Sequence, residues 1–329
     1  MGMTTPWPDA PAADPWELCE AIAREHARTF YLASRFLPRH RRRAILAAYA
    51  YCRIADDLVD CSSDYHPALV SEALARWEDE LMMPRHPVAV AFAHARRVFG
   101  VPIEPVRDLF TGIRMDLAGT RFATWSALYT YSYHVAGTIG MIVAPILGCN
   151  DPTALRYAAE LGIAMQLTNI LRDIGEDAQR GRVYLPLDEL AAFGCDVEGM
   201  LRGQPGGQFF DLLTLQAQRA RALYASAERG LRALPPRSRF TALVASRLYA
   251  EILTELERAN FPVFQVRAFV SPGRKVMAMP GILASFVKLA RPQRGQCQPQ
   301  SHLALDGHRN DPHDRYWSSA QISKSPPHG

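Results

Sequence analysis

The sequence predicts an all-α protein with a single folded domain. Three observations carry this. Asp14-Pro15 and Asp151-Pro152 each pair an N-cap side chain with proline at the first helical position. Apolar residues recur at spacings of three and four, the period of a helix. No run of alternating apolar and polar residues is long enough to build a sheet. Of the 329 residues, 48% are hydrophobic and 21% charged, the balance of a folded chain rather than a disordered one.

The elements follow in order. A first helix is expected from Pro15 to about Leu37, stopped by Pro38, and a second from about Arg39, carrying "RRRAILAAYAYCRIADDLVD". Further helices are expected over 67–82, 87–99 and 103–119. Residues 122–150 contain no Asp, Glu, Lys or Arg and are numerous enough to cross a bilayer. They are also rich in Tyr, Ser, Thr and Gly, and no basic cluster flanks them. This reads as a helix over 124–148 buried on all sides within the protein. Helices over 151–179, 208–233 and 237–261 follow, then a short basic one over 281–291 that either packs last or touches a membrane. Residues 1–14 and the polar stretch 292–329 lack apolar periodicity and are expected to be disordered. The domain is therefore 15–291.

Composition excludes several classes of function. A net charge of +4 is too small to argue for nucleic acid. Lysine occurs only at 275, 288 and 324, so the basic residues are almost all arginine, which suits phosphate and carboxylate recognition. The cysteines at 19, 52, 61, 149, 195 and 297 form no CxxC pair and read as thiols of a reducing, cytoplasmic compartment. The first twenty residues lack the basic-then-apolar pattern of a signal peptide.

Two acidic clusters ask for an explanation. "YCRIADDLVD" (51–60) places Asp56, Asp57 and Asp60 in an apolar helix, and "QLTNILRDIGEDAQRGRVYLP" (166–186) places Asp173 and Asp177 in another. Carboxylates four apart on a helix share a face and repel. Gln166 and Asn169 continue the Asp173–Asp177 stripe. A solvated surface is the ordinary explanation, with Arg53 pairing with Asp57 and Arg172 with Glu176. Against it stand the apolar helices around both clusters and the cost of burying unpaired amides. Two carboxylate pairs facing across a pocket would hold two or three Mg2+ ions, with Mn2+ as the alternative. Such ions are completed by substrate phosphates. Arg28, Arg53, Arg172 and Arg182 are candidates to surround a diphosphate. Ala136, Gly137 and Gly140 would leave a smooth apolar groove beside it, unless they serve tight helix packing. An apolar tunnel next to a metal-bound diphosphate means a prenyl diphosphate.

Four blocks, "HARTFYLASRFLP" (26–38), "YCRIADDLVD" (51–60), "YSYHVAGTIG" (131–140) and "QLTNILRDIGEDAQRGRVYLP" (166–186), resemble the squalene/phytoene synthases, in order and spacing. The resemblance covers about residues 15–270 and implies the isoprenoid synthase fold, helices around a central cavity. It implies that Asp56 and Asp60, with Asp57 beside them, and Asp173 and Asp177 bind magnesium, and that Gln166 and Asn169 line the reaction centre, Asn169 also as a metal ligand. Tyr49 and Arg53 would contact diphosphate, and Tyr131 would point its hydroxyl at the reacting carbons. Arg182 and Tyr184 would help close the site, with Tyr249 and Arg267 as further diphosphate contacts. Arg28, Thr29 and Phe30 stand where the family's flap often reads His-Ser-Lys-Ser-Phe after the histidine; Ala27 lacks one hydroxyl of that pattern. Ser34, one turn beyond Phe30, would lie deeper along the tunnel, and Leu46 near the same wall.

The implied reaction joins two identical prenyl diphosphates head to head through a cyclopropylcarbinyl diphosphate. With geranylgeranyl diphosphate the product is phytoene, closing by proton loss without NADPH. The alternatives are a C15 enzyme making dehydrosqualene, squalene or presqualene diphosphate, and an inactive homologue that binds prenyl lipids. Peripheral membrane contact is expected because the product is insoluble in water.

Overall fold

The computed structural model describes residues 14–60, 66–117, 119, 121–149 and 151–290; within these, the side chains of Arg28, Thr29, Asp60 and Pro152 lie outside the description. Among the described residues the regular structure is entirely helical, as the sequence predicts. The expectations of disorder at both termini fall outside the described residues, apart from Asp14.

The chain opens with α1 (Pro15–His26), capped by the Asp14 carboxylate, which accepts from the Trp16 amide at 2.8 Å. The single helix expected up to Leu37 breaks at Ala27, whose backbone (φ −138°, ψ 58°) is not helical, and α2 (Arg28–Ser34) follows. No proline or glycine stands at the break. Tertiary packing sets it, with Phe30 of α2 against Tyr49 at 5.4 Å between ring centroids. Next come α3 (Arg39–Asp60), α4 (Pro67–Asp79), α5 (Pro87–Phe99) and α6 (Glu104–Leu117). α3 is fixed to α4 reciprocally: the Tyr51 hydroxyl donates to the Trp77 carbonyl (2.8 Å) and the Trp77 indole donates to the Tyr51 carbonyl (3.1 Å).

The uncharged stretch is buried as expected, but it is not one regular helix. α7 (Trp125–Ser132) passes through a π-helical turn, Tyr133–Gly137, into α8 (Thr138–Leu147). No helix among the described residues is long and apolar enough to cross a membrane. α9 (Pro152–Gln179) is the spine of the fold and packs against α7, the π turn and α8 on one side. Beyond it lie two short helices that the sequence reading missed, α10 (Leu187–Ala192) and α11 (Val197–Leu201). α12 (Phe209–Gly230) ends in a 3-10 turn, Leu231–Ala233. α13 (Pro236–Arg258) and α14 (Pro272–Ala290) complete the chain, and both α12 and α13 pack on α9. α14 is nine residues longer at its start than the basic helix expected from 281, and Pro280 lies inside it.

The buried side chains fall into two clusters, one built mainly on α1 and α3–α6, the other mainly on α9, α12 and α13. The clusters meet where α8 crosses α9. There the backbones touch: a Cβ on Gly140 would lie 2.0 Å from the Ala158 carbonyl oxygen, and one on Gly162 would lie 2.1 Å from that of Ala136. Gly137 serves packing too, against Tyr133, Ala159 and Ile163, and is not part of the groove once expected of it.

This contact should be intolerant of even one methyl. Gly162→Ala is expected to destabilise by at least about 3 kcal/mol. Gly281→Ala, where nothing lies within 4 Å, should gain about 1 kcal/mol from helix propensity. Thermal melts of the two variants, with Tm falling in the first and rising in the second, check the assignment.

Candidate active site

Two cavities meet inside the bundle. One, of about 380 Å3, is walled almost wholly by apolar side chains of α2, α3, the π turn, α8, α9, α12 and α13. The other, of about 440 Å3, is lined by Asp56, Asp116, Asp173, Glu176 and Asp177 together with Arg53, Arg172, Arg180, Arg182 and Arg267. Val135, Gln166 and Asn169 line both. A molecule with a charged head and an apolar tail would therefore lie with its junction at these two amides.

The spacing of α9 produces this arrangement. Gly162, Gln166, Asn169, Asp173 and Asp177 follow one another at four, three, four and four residues, a single stripe. Its first member lines the apolar cavity, the next two line both, and the last two line the polar one. The other faces of α9 bury Ile163, Leu167, Ile170, Leu171 and Ile174. On α3 the division is similar. Tyr51, Cys52, Ala55 and Leu58 are buried in the core, while Arg53 and Asp56 line the polar cavity.

All but three of the expected residues can be placed. Asp56, Asp173, Asp177, Tyr131, Gln166, Asn169, Arg53, Arg182, Tyr184 and Arg267 all line the polar cavity. Phe30, Ser34, Tyr49 and Tyr249 line the apolar one. The Tyr249 hydroxyl donates to Asn169 Oδ1 at 2.7 Å, which brings it to the junction. Leu46 does not line the cavity. It is buried in the core, and its neighbour Ile45 faces the cavity, one residue and about 100° round α3. Asp57 is held by Arg53 in the expected i,i+4 pair, with Arg53 Nε donating to Oδ2 at 3.1 Å, and it does not line the cavity. The side chains of Asp60, Arg28 and Thr29 lie outside the described residues.

The electrostatics of the second carboxylate pair are uneven. Asp173 accepts from Arg172 Nε (2.8 Å) and Nη2 (2.5 Å), and from Arg267 Nε (2.8 Å) and Nη2 (3.3 Å). Burial works to raise its pKa, but the two guanidinium groups outweigh it and hold the carboxyl below its ordinary value. Arg172 therefore pairs with its neighbour Asp173 rather than with Glu176, and Arg267 approaches Glu176 at 3.5 Å. Asp177 has no such guanidinium fork. Burial first, and then the Asp173 charge, push it up to about 7, against a smaller opposing effect of Arg182 and Arg180. Among the described residues no three acidic, imidazole or thiol groups converge tightly enough to hold a metal ion by themselves.

Sequence reasoning missed Asp116 and Arg180. The Tyr131 hydroxyl donates to Asp116 Oδ1 at 2.9 Å, and the rings of Tyr131, Phe122 and Tyr184 pack mutually, with Tyr131 at 4.8 Å from Phe122 and 5.6 Å from Tyr184. Burial, with Asp116 adding to it, raises Tyr131 well above an ordinary phenol, so this hydroxyl keeps its proton. A signal for Asp116 was available. It sits in the last turn of α6, where a carboxylate opposes the helix dipole and so needs another reason to be there.

The unevenness has a consequence for stability. The folded chain holds a proton on Asp177 up to about pH 7, while the unfolded chain releases it near the ordinary 3.8. The contribution to stability therefore falls as pH rises through that window and is at its least favourable above it. Without divalent ions, Asp177→Asn should raise Tm by roughly 5 °C at pH 8 and leave it unchanged near pH 4. Scanning calorimetry at the two pH values tests this.

Comparison with known proteins gives the family. The squalene/phytoene synthase family model matches residues 23–274. The phytoene synthase of Arthrospira platensis is 40% identical over 296 residues, covering 84% of this chain and 94% of its own. Phytoene synthase 2, chloroplastic, of Zea mays is 38% identical over 278 residues, covering 81% of this chain and 69% of its own. Among solved structures, a dehydrosqualene synthase in complex with ligand superposes with a TM-score of 0.77 at 30% identity, covering 83% of this chain and 97% of its own. With its helical bundle and its paired carboxylates facing a common cavity, this chain belongs to the squalene/phytoene synthase family.

Proposed function

We propose that the chain joins two geranylgeranyl diphosphates head to head, through a cyclopropylcarbinyl diphosphate, to give phytoene and two diphosphates, one released at each ionisation. The observation that carries this reading is the junction of the two cavities at Gln166 and Asn169. A diphosphate among the arginines places its allylic carbon beside the amides and its tail between α2, α8 and α13.

The donors facing the polar cavity, carboxylates with the amides of Gln166 and Asn169, offer oxygen and suit a hard cation. Asp56, Asp60, Asp173, Asp177 and Asn169 would hold Mg2+, two or three ions in all, with diphosphate oxygens completing each shell. Bound there, magnesium would take up the charge of the departing diphosphate. Arg53, Arg180, Arg182 and Arg267 surround the same oxygens, and Asp57 keeps Arg53 aimed. The apolar wall excludes water from the carbocation. Tyr131 lines the cavity with its hydrogen committed to Asp116. A proton arriving on its oxygen at the last step can pass along that bond to Asp116. The reaction closes by proton loss, so NADPH is not consumed. We place the reaction in the cytoplasm, with the hydrocarbon leaving into a lipid phase.

Incubation with geranylgeranyl and farnesyl diphosphates, with and without NADPH, followed by product identification, tests the reading. Phytoene from the C20 substrate without reductant is expected. A C15-derived product made in preference, or a reaction stalled at the cyclopropyl diphosphate until NADPH is added, would contradict it.

Chain length provides a second test. Ser34 is buried, donates to the Tyr31 carbonyl at 2.7 Å and lines the cavity, as does Ile45 of α3. Ser34→Phe should lower kcat/KM for the C20 substrate at least ~10-fold more than for the C15 one. Equal losses on both substrates would show that Ser34 does not limit tail length.

A further inference from the structure

The outer surface over the apolar cavity is itself apolar. On α2, Phe30, Ala33 and Ser34 face the cavity, while Leu32 of the same helix and Phe36 just beyond it face outward. Phe36 meets Phe240 of α13 at 5.3 Å, and Phe240 meets Phe286 of α14 at 5.4 Å, so α2 and α14 border one surface. The end of α14 is tied to the far end of the cavity. Arg232 and Arg239 both donate to the Leu289 carbonyl, at 3.1 and 3.3 Å, and the neighbouring Leu231 and Leu234 line the cavity floor.

The outward stripe of α14 is the reverse of a solvated helix face. Val276, Leu283 and Val287 recur at seven and four residues, with Pro280 and Met277 among them. Leu32, Phe36, Val276, Met277, Leu283 and Val287 are between 50% and 77% exposed. Within α2 and α14 themselves charge has one sign, the neighbouring Glu228, Glu251 and Glu255 being paired with arginines. No Asp or Glu occurs between His26 and Ala55 or anywhere in α14, in a chain holding 33 acidic residues. Arg35, Arg39 and Lys288 are exposed around the patch, while Arg274 turns inward to Glu251 and Glu255. A helix with an apolar outer stripe and cations at its margin matches a bilayer interface with anionic headgroups.

We infer that α2 and α14 together form a docking face for an anionic lipid surface, which sets the bilayer one helix away from the apolar cavity. This rests on the proposed reaction only in the use it gives the contact, delivery of an insoluble hydrocarbon. The wall in between, α2, is seven residues long and has no side-chain cap.

Sedimentation of the full chain with vesicles tests the face. The chain should co-sediment with mixed phosphatidylglycerol and phosphatidylcholine vesicles, poorly with phosphatidylcholine alone, and less as salt is raised. The double variant Leu283→Glu, Val287→Glu should bind at least ~10-fold more weakly. Val98→Glu, at an exposed valine on α5, should bind like wild type. Unchanged melting curves would show that the variants fold, since the replaced side chains are exposed. Failure of the wild type to bind either vesicle, or equal binding by the double variant, would overturn the inference. So would a lipid-free dimer that the double variant dissolves, or displacement of vesicles by a peptide of residues 292–329. Diphosphate release in detergent is measured in parallel. Turnover without vesicle binding overturns the face alone, and vesicle binding without turnover overturns the reaction alone.

Discussion

The structure depends on carboxylates held toward one another inside a helical core. Asp56 on α3 and Asp173 and Asp177 on α9 face one cavity, at the meeting of two buried clusters. Mutual repulsion would drive such groups apart or into solvent unless something answers their charge. Two arginines answer Asp173. Nothing answers Asp177 as fully, and it holds its proton to about pH 7. A site built this way is costly when empty and becomes favourable when cations and a polyanion enter together. That cost is the reason to read the cluster as functional rather than structural.

The rest of the fold keeps this arrangement in register. α9 carries the cavity wall, the junction amides and one carboxylate pair on one stripe, so a single helix fixes the distance from apolar tail to charged head. Its height is set by backbone contact with α8 at Gly140 and with the π turn at Gly162. The π turn Tyr133–Gly137 then brings Val135 to line both cavities, one turn from Tyr131. A single inserted residue in a helix commonly marks a functional site. Here it lets α7 hold Tyr131 against Asp116 while α8 keeps its packing on α9.

Much of this was legible in the residues. Spacings of three and four on apolar helices fix which aspartates and amides share a face, because helical periodicity is local. The caps at Asp14 and Asp151 mark helix starts for the same reason. What was not legible depends on contacts distant in sequence. The break at Ala27 has no local cause. The π turn leaves no mark in composition. Leu46 and Ile45 differ only in rotation about α3, which the sequence pattern around them does not resolve. Arg172 took Asp173 rather than Glu176 because Arg267, 94 positions away, completes a two-arginine clamp there. The length of α14 was missed because Pro280 reads as a start signal and is in fact interior.

The central claim is that the carboxylates serve cations and diphosphate jointly. Calorimetric titration of inorganic diphosphate into the full chain tests it most directly. The account predicts strong binding when magnesium is present and little when it is absent, with the magnesium-dependent binding lost in Asp173→Ala, Asp177→Ala. Binding of diphosphate that is equally tight without any divalent ion, or that survives loss of both aspartates, would contradict it.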